Sequence, residues 1–134
     1  MKKYLAAGMI CCATLLSGCA GQNPPSPSEI SSANYGTLPG DYKEQIKSYL
    51  STRLKDPYSA KYDFIEPYKG YSQDGQWSST GGAIHFGWII PVYVNAKNSF
   101  GGYTGSQKYV FMFSSGVMYD IQLNDKLGQV KPAN

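Results

Sequence analysis

Leu16-Ser17-Gly18-Cys19 is the stretch of this chain whose residue types and spacing most directly specify a reaction. It closes an apolar run, residues 5–16, that follows the basic pair Lys2 and Lys3 and is too short to span a bilayer comfortably. Small residues set directly before a cysteine, where an apolar segment meets polar chain, form a lipobox. Residues 1–18 are then a signal peptide that is cut away, and Cys19 becomes a lipidated N-terminus. An ordinary secretory signal or a chance apolar run leaves the placement of the cysteine unexplained.

Other reactive side chains are sparse. His85 is the only histidine, and it falls on a predicted strand. It could serve as a general base, since imidazole titrates near neutrality, but a surface strand residue is the simpler reading. No serine lies in a G-x-S-x-G elbow, and Ser78, Ser79 and Ser106 sit in loops whose composition already accounts for them. Asp74-Gly75 is a fragment of a calcium loop without the alternating acids such a loop needs. Zinc wants about four nitrogen or sulfur ligands; one histidine and no unmodified cysteine after cleavage leave none to assemble. The glycines at 101, 102 and 105 precede a strand instead of opening a helix, so they are not a nucleotide cradle. The expectation is no enzyme, no metal and no cofactor.

Composition narrows the class further. Of the three cysteines, Cys11 and Cys12 lie in the removed segment, so the folded part has no disulfide. Twelve Lys and Arg face nine acids, but Lys2 and Lys3 leave with the signal. The remaining near-balance gives no footprint for nucleic acid. Aromatics are the stronger clue to binding. Of twelve tyrosines only Tyr4 is lost, and Trp77 and Trp88 both stay. Tyr35, Tyr58, Tyr68, Tyr71, Trp77 and Tyr103 fall in loops or at strand ends, where such side chains favour interfaces and sugar-like surfaces. Shielding a thin core is the competing explanation.

The elements that must position these residues follow from periodicity. Residues 19–40 are rich in proline, serine and glycine and read as a lipidated flexible tether. Fully stretched, it reaches roughly 60 Å at polyproline rise. Residues 41–134 form one small domain with a polar C-terminal tail from Asn124. Asp41 with Glu44 starts a helix. Ile46, Tyr49, Leu50 and Leu54 give it one apolar stripe, and Pro57 ends it. Alternation then sets in. Tyr62 and Phe64 mark a first strand, interrupted by Pro67 and Gly70. Ile84, Phe86, Trp88, Ile90, Val92 and Val94 mark a long second strand, on an edge or bulged at Pro91. Tyr109, Phe111 and Phe113 mark a third. After a tight turn at Ser115-Gly116, Val117, Tyr119, Ile121 and Leu123 mark a fourth. The fold expected is α+β, one N-terminal helix on a curled antiparallel meander of three to four strands.

Two stretches carry a resemblance. Leu54-Lys55-Asp56-Pro57-Tyr58-Ser59-Ala60-Lys61-Tyr62 resembles L-K-D-P-x-S-A-x-Y. Residues 94–105, Val-Asn-Ala-Lys-Asn-Ser-Phe-Gly-Gly-Tyr-Thr-Gly, resemble V-N-A-K-N-x-x-G-G-Y-x-G. Together they look like a group of uncharacterised small exported bacterial proteins, many of them lipoproteins. The resemblance implies an exported address and implies no activity; with Ala20, not an aspartate, after Cys19, resemblance to lipoproteins of Gram-negative bacteria implies the outer membrane facing the periplasm. Relatives often carry a cysteine in the strand before the asparagine, where Pro91 and Val92 stand here. Asp56 and Ser59 suit a turn that stops the helix. Asn95 and Asn98 suit bonds to loop amides, and Gly101, Gly102 and Gly105 suit positive φ or close approach. The loop is either structural or a binding loop carrying Lys97, Asn98, Tyr103 and Lys108, with Trp77 as a further candidate contact. The function expected is a non-enzymatic envelope lipoprotein, an accessory or assembly subunit working through protein contacts; the alternative is binding of glycan or peptidoglycan. The partners expected are the membrane, through Cys19, and envelope proteins or peptidoglycan, with the domain monomeric on its own.

Overall fold

The computed structural model describes residues 22–134; the signal and Cys19 lie outside them. In chain order the elements are α1 (Pro27–Ser32), α2 (Tyr42–Ser51), β1 (Asp56–Phe64), β2 (Tyr68–Gln73), β3 (Ile84–Lys97), β4 (Gln107–Ser114), β5 (Val117–Asp120), α3 (Gln122–Lys126) and β6 (Val130–Pro132). The strands form one six-stranded antiparallel sheet, with β5-β4-β3-β2-β6 along its path and β1 also on β3. The protein is therefore mostly β with three short helices. This corrects the expected α+β arrangement of one helix on a meander of three to four strands.

β3 is the axis. β4 lies along one side of it; β1 and β2 share the other, β1 against its C-terminal half and β2 against its N-terminal half. Phe64 pairs with Val92 and Tyr68 with Ile89, so the three residues 65–67 between β1 and β2 face only two of β3. That extra residue is a bulge, and it reverses the alternation. Tyr62 and Phe64 share a face with Val92 and Val94, whereas Tyr68 and Ser72 share the opposite face with Ile89 and His85. Such a reversal, with Gly70 in its midst, hides β2 from a search for simple alternation. Pro91 sits opposite the bulge. Its carbonyl accepts from Ile65 N (3.0 Å), and the N–H it lacks would have pointed to the same, interrupted side.

Both faces of the sheet are covered. On one, Ile46 and Leu50 of α2 are fully buried against Ile90, Val92, Val94, Phe111 and Phe113. α2 stops at Ser51, well before Pro57. Ser51 Oγ and Thr52 Oγ1 donate to the Ser48 and Tyr49 carbonyls (2.6 and 2.8 Å), and such hydroxyl bonds compete with a continuing helical ladder. Asp41 occupies the N-cap position, but its side chain accepts from Gln45 Nε2 instead of from the helix amides. On the other face Ile89, Val110, Met112 and Ile121 make a smaller core, with Tyr68 and Val130 against it. Ile121 belongs to the start of α3, not to a fourth strand, and the tail read as polar and unstructured supplies both α3 and β6.

Residues 22–40 also differ from the sequence expectation of a flexible tether. Ser26 and Glu29 bond reciprocally in a capping box, with proline at the first helical turn, and so start α1. Trp88 Nε1 donates to the Gly36 carbonyl (3.0 Å), the Tyr35 ring meets Phe86 edge-on, and Leu38 packs on the α2 core.

Candidate functional site

The two stretches that carry the resemblance lock together at one end of the sheet. Asp56 pairs with Lys97 across β1 and β3. Ser59 is the hinge of the arrangement: its N–H donates to Asp56 Oδ1 (3.3 Å) and its Oγ donates to the Asp56 carbonyl (2.7 Å). The same Oγ accepts from Lys97 N (2.8 Å), and the Ser59 carbonyl accepts from Tyr103 Oη (3.2 Å). The Asp56–Ser59 bonds do not form the expected helix-stopping turn: they lie within β1, where its register with β3 shifts, the helix having ended at Ser51, and the Ser59 hydroxyl ties this kink to the neighbouring strand.

Asn98 braces the glycine loop from within. Its Oδ1 accepts from Phe100 N (2.9 Å) and Gly102 N (3.2 Å), and its own N–H donates to the Gly102 carbonyl (2.8 Å). Positive φ belongs to Gly101 and Gly105, whereas Gly102 has neither positive φ nor a close neighbour. Asn95 does not bond loop amides; its Oδ1 is buried without a partner. The Tyr103 ring lies between two ammonium groups, Lys61 at 4.7 Å and Lys97 at 5.5 Å from its centroid. Each such contact with a partly exposed ring contributes about 0.5–1 kcal/mol.

Lys97, Asn98 and Tyr103 are thus brought together, with their polar groups largely spent on holding the loop. Lys108 stands elsewhere, paired with Asp125 of α3 at 3.0 Å. Trp77 is 93% exposed on loop 74–83, at the opposite end of β3. The braced end also presents Tyr58, which the sequence placed among its loop and strand-end aromatics, and Phe100 of the glycine loop, which it did not single out; they are 100% and 97% exposed.

A second constellation lies on the α3 face. A cleft of about 390 Å³ is lined by Ser72, Asp74, Thr80, His85, Asp120 and Asn124 and by Met112, Tyr119, Ile121 and Leu123. Asp74 is its polar centre. Oδ2 accepts from Thr80 Oγ1 (2.7 Å) and meets His85 Nε2 (3.2 Å), while Oδ1 accepts from Asn124 Nδ2 (3.1 Å). Burial pushes the Asp74 carboxyl up, but the bonds from Thr80, Asn124 and His85 outweigh it and hold the group below its ordinary value. His85 stacks on Tyr119. Ser72, directly opposite His85 across the strands, accepts from Asn124 Nδ2 (2.8 Å) and is only 1% exposed.

Ser, His and Asp therefore gather on one face, yet the serine hydroxyl is closed off and the imidazole nitrogen that meets Asp74 makes no bond to it. The cleft thus sets the His85 and Tyr119 rings and the Asp74 and Asp120 carboxylates beside apolar walls of Met112, Ile121 and Leu123. Asn124 was hidden from sequence reasoning because it lies about fifty residues from Ser72 and Asp74 and reaches them only when the tail folds back. Among the described residues no three His, Cys, Asp or Glu side chains converge as a metal site, and no helix is long and apolar enough to cross a membrane.

No protein-family model matches the chain, and no curated protein or solved structure is significantly similar to it.

Proposed function

We propose that this chain is a lipid-anchored protein of the bacterial envelope that works by binding a partner protein, not by catalysis, at the outer membrane facing the periplasm. The lipobox at Cys19 supports the address. The observation that carries the binding role is the exposure of Tyr58 and Phe100 on a braced scaffold. Fully exposed aromatics gain most from being covered, and a pre-ordered loop loses little entropy when that happens. Lys55, Lys61 and Lys97 around them suit an acidic partner surface.

Crosslinking in intact envelopes, followed by capture of the lipidated protein, tests this. Tyr58→Asp with Phe100→Asp should abolish the specific crosslinks and leave thermal stability and membrane retention unchanged. Unchanged crosslinks would remove this end from the interface. The cleft favours a second reading, a glycan or peptidoglycan ligand, because it combines a polar centre with the Tyr119 ring. Retention on isolated sacculi that is lost in Tyr119→Ala and kept in the double aspartate variant would favour that reading.

A further inference from the structure

We propose that the lipid-anchored domain stands on the bilayer on loop 74–83, with Trp77 seated among the lipid headgroups. This rests on the acylation of Cys19 argued above. The first ground is where the chain joins the domain. Gln22 Nε2 donates to the Asp74 carbonyl, Gln129 Nε2 donates to Gln22 Oε1 (3.4 Å), and Gln73 Nε2 donates to the Asn23 carbonyl (3.0 Å). The segment is thereby fastened at the foot of loop 74–83. Only Ala20 and Gly21 separate Gln22 from Cys19. Three residues of fully extended chain span at most about 11 Å. The foot of the loop is therefore held close to the acyl chains.

The second ground is the loop itself. Residues 75–83 carry no charged side chain, so their entry into the interface requires no ion to be desolvated. Asp74, at the foot, is already bonded to Thr80, Asn124 and His85. The third ground is Trp77, 93% exposed on that loop. An indole, apolar in body and with one N–H donor, has its preferred environment at the membrane–water boundary. The opposite end of β3 then faces away from the lipid. Its 14 residues, at about 3.3 Å each, carry Phe100 and Lys97 some 40 Å along the strand from the membrane. The short leash holds the domain against the membrane, and the braced loops are presented outward.

The acylated protein, purified from membranes and reconstituted into vesicles of phosphatidylethanolamine and phosphatidylglycerol, provides the test. Residues 20–134 contain no cysteine, so Gln76→Cys and Phe100→Cys each accept one environment-sensitive fluorophore. The probe at 76 should shift to the blue on vesicles and gain severalfold protection from a water-soluble quencher; the probe at 100 should do neither. Adding Trp77→Ser to Gln76→Cys should remove most of that protection, with unchanged melting in detergent. Equal quenching at both positions, or protection indifferent to Trp77→Ser, overturns the docking. Protection that appears with peptidoglycan instead of vesicles overturns it too. Mass spectrometry of the same sample separates the premises: an unacylated Cys19 removes both the anchor and the docking, whereas an acylated Cys19 with the probe at 76 in water removes the docking alone.

Discussion

At Gly87 the sheet leaves no space for a side chain: a Cβ there would run into the Phe113 carbonyl oxygen and press on Met112 Cγ at 3.0 Å. Backbone on one side and core on the other cannot both give way. Gly87→Ala should therefore lower stability by about 1–3 kcal/mol, the usual range for overpacking. Gly102→Ala meets open space at an ordinary φ and should be nearly neutral. Denaturant melts of the two variants decide this, and a neutral Gly87→Ala would contradict the packing described. Asp74 has its own signature. Its folded pKa is lowered, so its contribution to stability is complete above the unfolded value, about 3.9, and is lost as pH falls through the folded value. The stability gap between wild type and Asp74→Asn should thus be widest near neutrality and shrink from about pH 5 downward. A gap independent of pH would mean that the carboxylate is not held by its three donors.

At the scale of elements, α2 acts through two side chains. Ile46 and Leu50 are fully buried, and both lie on the stripe that the sequence displays. Leu50→Ala should cost about 2–5 kcal/mol, the range for truncating a buried leucine whose surroundings cannot collapse. An unchanged unfolding midpoint would show that the helix does not seat as described. The element least visible beforehand, β2, is closely hemmed in. It pairs with β3 on one side and β6 on the other, and Gly70 there lies against the Lys131 carbonyl and Ile89 Cδ1. Its residues look like a loop because no large side chain fits at Gly70 and because the bulge has exchanged the two faces.

For the whole molecule, the question is where the folding unit begins. The helical stripe and the strands suggest that residues 41–131 suffice. The structure adds Tyr35, Gly36 and Leu38, which pack on Phe86, Trp88 and the α2 core, and Pro25, which is buried. A fragment starting at Gln22 should therefore melt at a higher denaturant concentration than one starting at Asp41, both remaining monomeric in size-exclusion chromatography. Equal midpoints would return residues 22–40 to the status of a spacer. Attachment of that segment to the domain is also what separates residues 22–40 from a free tether of roughly 60 Å reach.

Local patterns determined much of this protein without help from tertiary structure. The apolar run and lipobox, the stripe of Ile46 and Leu50, the alternation along β3 and the turn at Ser115-Gly116 depend on residues close together in the chain. Such signals are written in spacing alone. The local bonding of Asp56 with Ser59 and the Asn98 brace belong here too, since their bonds are short-range, although the first lies in β1 and does not stop the helix. Only the tertiary structure decided that the tail returns as α3 and β6, that a bulge turns β2 over, and that Asn124 closes off Ser72. Each of these depends on partners about twenty to sixty residues apart, and a polar residue carries no mark of a distant partner in its own neighbourhood. The same holds for Tyr58 and Phe100: that both stand fully exposed, at the end of the sheet where Lys97 and Tyr103 bond Ser59, was decided by the tertiary structure.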